Sequence, residues 1–249
     1  MNHLSFFSPQ TPFSVVIITL NEEKNIGNLL NDLVAQSYRN FEVVVADSCS
    51  DDDTVAIAES YKDRLDLRTV VMEGRGASLG RNTGAEQAKY ERIVFLDADV
   101  RISPDFLEKS LALLNKKRLL ISAGRMTCTE PKLLNRIGVR LFDWGMLATQ
   151  YSFPTCTGAC IFSTKTVHRF IGGFDTDINL CEDCDYVNRA AGSFRFRMLP
   201  VFFEFNTRRL DKEGIFKMGG VYLKANILRL FRGELRNNEI EYPFGHYDR

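Results

Sequence analysis

No stretch of the sequence reaches 18 consecutive apolar residues, so no segment reads as a membrane-spanning helix. The opening residues, MNHLSFFSPQTPF, carry neither a basic segment nor a long apolar one and do not read as a secretory leader. An excess of one charge is also missing. The 32 Lys and Arg balance 32 Asp and Glu, which leaves no global field to attract nucleic acid. Six cysteines in 249 residues are too sparse for a disulfide framework, so reduced thiols in a cytoplasm are expected. Internal repeats and low-complexity linkers are absent, which predicts one domain over residues 1–249. With 45% hydrophobic and 26% charged residues, such a chain can bury a large core without metal or disulfide staples.

What is present is an alternation of short apolar runs and helical stripes. Residues 14–19 form a continuous apolar run, as expected of a strand buried on both faces. Asn21 then reads as an N-cap, with Glu22 and Glu23 in the first turn. Ile26, Leu29, Leu30 and Leu33 mark one face of an amphipathic helix. A second run, 41–46, closes a β-α-β unit. The spacing further predicts a helix over 54–61, a strand over 67–72, a helix over 77–89 and a strand over 92–96 ending on Asp97. Ser103 and Pro104 read as the N-cap and first residue of another helix. The fold class is therefore α/β, a doubly wound, mostly parallel sheet. Beyond residue 125 the alternation loosens. A helix is expected over 131–149 with Leu134, Ile137, Leu141 and Trp144 on one side, and strands over 159–163 and 194–205.

In such sheets ligands sit beyond the carboxyl ends of the strands, where Glu22, Asp47, Asp97 and Asp99 fall. Asp97 and Asp99, two apart on an extended chain, point to the same side and suit a hard divalent cation with oxygen ligands. Asp-x-Asp also arises by chance in turns, so its position after a buried strand is what gives it weight. Asp47 could accept hydrogen bonds from a nucleotide, whereas Asp51, Asp52 and Asp53 read better as helix-capping acids. Gly172-Gly173-Phe174-Asp175 is followed by Glu182-Asp183, where a carboxylate could act as general base on an acceptor hydroxyl.

These motifs occur in a set order: Thr19-Leu20-Asn21-Glu22-Glu23, Asp47, Arg81-Asn82-Thr83-Gly84, Asp97-x-Asp99, Gly-Gly-Phe-Asp and Glu182-Asp183. Over roughly residues 13–210 the pattern resembles the family 2 glycosyltransferases, which have the GT-A fold with a Rossmann-like nucleotide-binding half. The resemblance implies an inverting enzyme of hexosyltransferase type, moving a sugar from a nucleotide-diphosphate donor, most often a UDP-sugar, to an acceptor. It implies that Thr19, Asn21 and Glu22 line the nucleoside pocket, that Asp47 holds the base, and that Arg81 approaches the ribose or diphosphate. Asp97 would lie near the ribose and Asp99 would ligate Mn²⁺ or Mg²⁺. Asp183 would be the catalytic base, with Glu182 beside it. Arg208 and Arg209 could clamp the leaving diphosphate, although a surface pair on a loop has the same spelling. Residues 13–125 would then be the donor half, 126–210 the acceptor and catalytic half, and 211–249 a C-terminal helix and tail.

The sequence departs from the family where Ser48-Cys49-Ser50 replaces the usual Gly-Ser loop after the base-binding Asp. The Gln-x-x-Arg-Trp motif of processive synthases is absent, which implies single transfer. A nucleotidyltransferase would need a Gly-rich basic loop after the first strand, and a catalytically silent nucleotide-sugar binder would have no need of both Asp99 and Asp183. Cys156, Cys160, Cys181 and Cys184 approach a zinc-ribbon spacing, but Cys160 falls inside an apolar strand. The segment 214–232 places Phe216, Leu223, Ile227, Leu230 and Phe231 on one stripe, outside which lie Lys217, Lys224, Arg229 and Arg232. Docking of that stripe onto the sheet is expected first. The same pattern fits peripheral contact with an anionic membrane face, which would bring a lipid-linked or glycan acceptor within reach. The histidines (His3, His168 and His246) have no evident role, with His246 in the tail a candidate to reach the metal.

Overall fold

The seven residues of β1 (Phe13–Thr19) are all buried, because parallel neighbours flank the strand on both edges and helices cover both faces. The structure, a computed structural model, describes residues 7–129 and 132–235. After β1 come α1 (Ile26–Val34), β2 (Phe41–Asp47), α2 (Thr54–Glu59), β3 (Leu67–Val71), α3 (Ala77–Gln87) and β4 (Arg92–Asp97). The second half contains β5 (Arg101–Ile102), α4 (Phe106–Lys117), β6 (Ile121–Thr127), α5 (Leu133–Thr149), β7 (Cys160–Thr164) and α6 (Lys165–Phe170). It ends with α7 (Glu182–Ala191), β8 (Phe196–Glu204), α8 (Arg208–Glu213) and α9 (Ile215–Arg232).

One eight-stranded sheet joins both halves in the order β3-β2-β1-β4-β7-β6-β8-β5. The first four strands are parallel, β7 is antiparallel to both β4 and β6, and β6 and β8 run parallel. This is the mostly parallel α/β sheet expected. Between Ala123 and Arg125 the register on β8 jumps from Met198 to Phe202, which bends the long last strand. A continuous core runs from β1 through Phe95, Phe106 and Phe162 to Phe196 and Phe203.

Several local expectations are corrected. Asn21 does not cap α1, which starts at Ile26 after a turn closed by the Glu22 carbonyl. The amides of Asn21, Glu22 and Glu23 donate instead to Ser50, Thr54 and Asp52 across the neighbouring loop, and Asn21 takes a left-handed φ of 57°. The helix expected at Ser103-Pro104 starts two residues later: Ser103 donates to Asp105, and Asp105 stands at the N-cap of α4.

Two helices turn apolar stripes outward, and for the second of them this overturns the expected docking. On α5 the apolar stripe Leu134, Ile137, Leu141 and Trp144 faces outward, and the buried side is Asn135, Val139, Asp143 and Met146. Asp143 fixes this choice by accepting from the Arg125 guanidinium of β6 at 2.6 and 3.0 Å and from the Met126 amide at 3.0 Å. Likewise Leu223, Ile227, Leu230 and Phe231 of α9 are exposed rather than docked on the sheet, while Arg229 is buried in a pair with Glu234. The side chain of Phe216 and the tail with His246 lie outside the described residues, as does His3. Buried His168 has a structural place, its Nδ1 3.2 Å from the Tyr186 hydroxyl.

Candidate active site

Strand register levels the functional ends of the sheet. Thr19 pairs with Asp47 and Ile18 with Asp97, so β1, β2 and β4 deliver their last residues to one edge. There the Asp47 carboxylate, fully buried, accepts from the Thr19 hydroxyl at 2.7 Å, the Ser50 hydroxyl at 2.6 Å and the Ser50 amide at 2.9 Å. Three of its roughly four acceptor positions are thus spent on shaping the loop. Asn21 clips the same loop from the other side, accepting from the Asp51 amide at 2.8 Å. Ser50, noted in the sequence only as part of a loop that departs from the family, ties this arrangement together by accepting from the Asn21 amide and donating to Asp47.

Arg81 on α3 is the centre of the site. Its guanidinium donates to Glu182 at 2.8 Å and to Asp97 at 3.0 Å, lies over the Phe174 ring and is almost wholly buried. The two carboxylates, 85 positions apart in sequence, are thereby held on one cation. Burial pushes the Asp97 carboxyl up, against the pull of Arg81. Glu182 is also raised, by burial and then by the neighbouring Asp183 charge.

A second guanidinium, Arg208 at the start of α8, donates to both oxygens of Glu22 at 3.0 and 3.2 Å and to Asp99 at 3.2 Å. Burial, with Glu22 and Asp97 nearby, pushes Asp99 up to about 7. Arg209 follows on α8, and its side chain lies outside the described residues. Glu22, Asp97, Asp99, Glu182 and Asp183 make five carboxylates facing the two guanidinium groups of Arg81 and Arg208. That excess of oxygen charge favours an added cation. Among the described residues no set of three or more His, Cys, Asp or Glu side chains is placed to hold a metal by itself.

Asp183 stands in the first turn of α7, where the helix dipole favours an anion. Its Oδ2 accepts from the Gly158 amide at 2.5 Å and its Oδ1 from the Cys184 amide at 2.7 Å. Gly158 escaped the sequence reading because it contributes a backbone N–H and an absence of side chain. A Cβ there would lie 2.2 Å from Arg81 Nη2. Gly172 and Gly173 both adopt positive φ, and the turn is tied to α3 by the paired bonds between Asn82 and Phe174, 2.8 and 2.9 Å long. Ser78 also donates to the Asp175 carbonyl, so Asp175 shapes the turn through its backbone. The four cysteines of the zinc-like spacing do not form one group: Cys184 donates to the Cys156 carbonyl, whereas Cys160 lies against Gly124 in the sheet.

Residues 14–170 match the family described as Glycosyl transferase family 2. Poly(ribitol-phosphate) beta-N-acetylglucosaminyltransferase TarS of Staphylococcus aureus is 38% identical over 108 residues, 42% of this chain and 19% of that protein. The chain therefore spans only about a fifth of that relative's length. The structure of S. aureus TarS 1-349 in complex with UDP-GlcNAc superposes with a TM-score of 0.65 at 24% identity, covering 78% of this chain and 58% of that one. Mannosyltransferase PcManGT from Pyrobaculum calidifontis, in complex with GDP-Man and Mn²⁺, gives a TM-score of 0.64 at 22% identity, over 85% and 64% of the two chains. Both likenesses establish the GT-A fold. With that family matched over more than half of this chain, the chain belongs to glycosyl transferase family 2.

Proposed function

We propose that the chain is an inverting, single-transfer enzyme that moves one sugar from a UDP-sugar to a hydroxyl of a glycan or lipid-linked acceptor, with Asp183 as general base. The observation that carries this reading is the convergence of Asp97, Glu182 and Asp183 on the buried Arg81 at one sheet edge. Thr19, Asn21 and Glu22 line the nucleoside side, and Asp47 offers its remaining acceptor position to the base. Asp97 faces the ribose. Asp99 is the carboxylate for Mn²⁺ or Mg²⁺, an assignment that suits the all-oxygen donor set and the surplus of acids. Asp99, with Asp97 and Glu22 close to it, would hold the ion. When bound, the ion supplies Lewis-acid stabilisation of the departing diphosphate.

The chain's own residues do the rest. The Gly158 and Cys184 amides hold the Asp183 carboxylate in place. As the acceptor oxygen bonds to the anomeric carbon, Asp183 takes its proton, and the bond to the diphosphate oxygen breaks on the opposite face. Arg208, with Arg209 beside it, moves from the carboxylates to the leaving diphosphate. The setting proposed with this reading is the cytoplasm, in line with the sparse cysteine content of the sequence.

The test is nucleotide release from a panel of UDP-sugars offered glycan and lipid-linked acceptors. Asp183→Asn is expected to keep donor affinity and to lose about 10²- to 10⁴-fold in turnover. Unchanged turnover would remove Asp183 as the base. A product that keeps the donor's anomeric configuration would overturn inversion.

A further inference from the structure

Two helices turn apolar stripes toward solvent on the side of the molecule that carries the catalytic helix. On α5 these are Leu134, Ile137, Leu141 and Trp144, with Leu141 60% and Trp144 52% exposed; on α9 they are Leu223, Ile227, Leu230 and Phe231, with Leu223 64% and Phe231 80% exposed. Each helix buries its opposite side, and the two meet where the Phe142 and Tyr222 rings lie 5.6 Å apart. The stripes therefore belong to one region of surface. Large exposed apolar patches mark interaction sites.

Charge identifies the occupant. Arg136, Arg140, Lys224 and Arg232 are exposed on these two helices. The only acid in either helix is Asp143, which is buried against Arg125. A second copy of this face would set these cations against their own counterparts with no acid on either helix to pair them. A layer of anionic headgroups above acyl chains satisfies both the cations and the apolar side chains.

We propose that the α5–α9 face docks on an anionic lipid surface, and that the acceptor is membrane-borne. The second part rests on the glycosyltransferase reading. The link between the two is the inner side of α9, where Ala225 packs with Leu180, Cys181 and Cys184, the residues that bracket Glu182-Asp183. Docking would thus hold the acceptor end of the site beside the headgroups.

Trp144, the single tryptophan of the chain, is a built-in reporter. With phosphatidylcholine vesicles containing phosphatidylglycerol, the account expects a blue shift of its emission and co-flotation, both weakened by salt. The double variant Leu141→Glu, Ile227→Glu should lose both while binding UDP as the wild type does. Absence of shift and flotation with these vesicles would overturn the docking. So would a blue shift that grows with protein concentration in the absence of lipid, since a second copy would then occupy the face. The vesicle readings need no nucleotide, so lipid binding without UDP binding would strike the glycosyltransferase reading alone. If docking holds but glycan acceptors in solution turn over as well as lipid-linked ones, the membrane-borne acceptor is overturned.

Discussion

Gly158 illustrates how much of the site depends on single atoms. Its amide holds Asp183, and its bare Cα leaves room for an Arg81 guanidinium already fixed by Asp97 and Glu182. In Gly158→Ala the new Cβ would displace Nη2, to which it would come within 2.2 Å. We expect donor affinity to fall about 10-fold or more, roughly 1.4 kcal/mol, by calorimetry. The stability loss should stay within the 1–3 kcal/mol usual for overpacking, or about 2 kcal/mol. His168 gives a second test at this scale. Burial first, then Arg189 and Arg169, hold its pKa down at about 4. The unfolded chain therefore binds the proton first, and stability is lost as pH falls from about 6.5 to about 4, by at most about 3 kcal/mol from this group. His168→Asn should flatten that part of a denaturation-midpoint profile. The convergence of Asp97, Asp99, Arg81 and Asp183 on one sheet edge was legible from strand ends and motif order. Gly158 was not legible, since it acts through its backbone, and Ser50 was read only as part of a loop that departs from the family.

Elements were legible wherever an apolar run or stripe decided them, as in β1, β2, β4 and α1. The direction a stripe faces was another matter. Periodicity finds the apolar side of α5, but the buried Asp143–Arg125 pair decides which side is covered, and that pair links a helix to a strand. Removing one partner of a buried pair leaves an uncompensated charge, so Asp143→Ala should cost about 3–5 kcal/mol in urea unfolding. A loss below about 1 kcal/mol would mean that α5 is held by something other than this anchor. The start of α1 was misplaced for a similar reason. The loops after β1 and β2 bond to each other, and such long-range bonds override a local capping preference.

At the scale of the molecule, the antiparallel strand β7 joins the four parallel strands β1–β4 to β6 and β8, and the candidate site lies where the two parts meet. Arg81 from the first half binds Glu182 of the second, and Arg208 from the second binds Glu22 and Asp99 of the first, so the site is complete only in the folded whole. Under the function proposed above, the acidic edge is a metal-assisted nucleotide-diphosphate site. Calorimetric titration of UDP, with and without Mn²⁺, on the wild type and on Asp99→Ala tests this most directly. The account predicts binding that Mn²⁺ strengthens in the wild type and no longer strengthens in the variant. Equal UDP affinity with and without Mn²⁺, or a variant that responds to Mn²⁺ like the wild type, would contradict it.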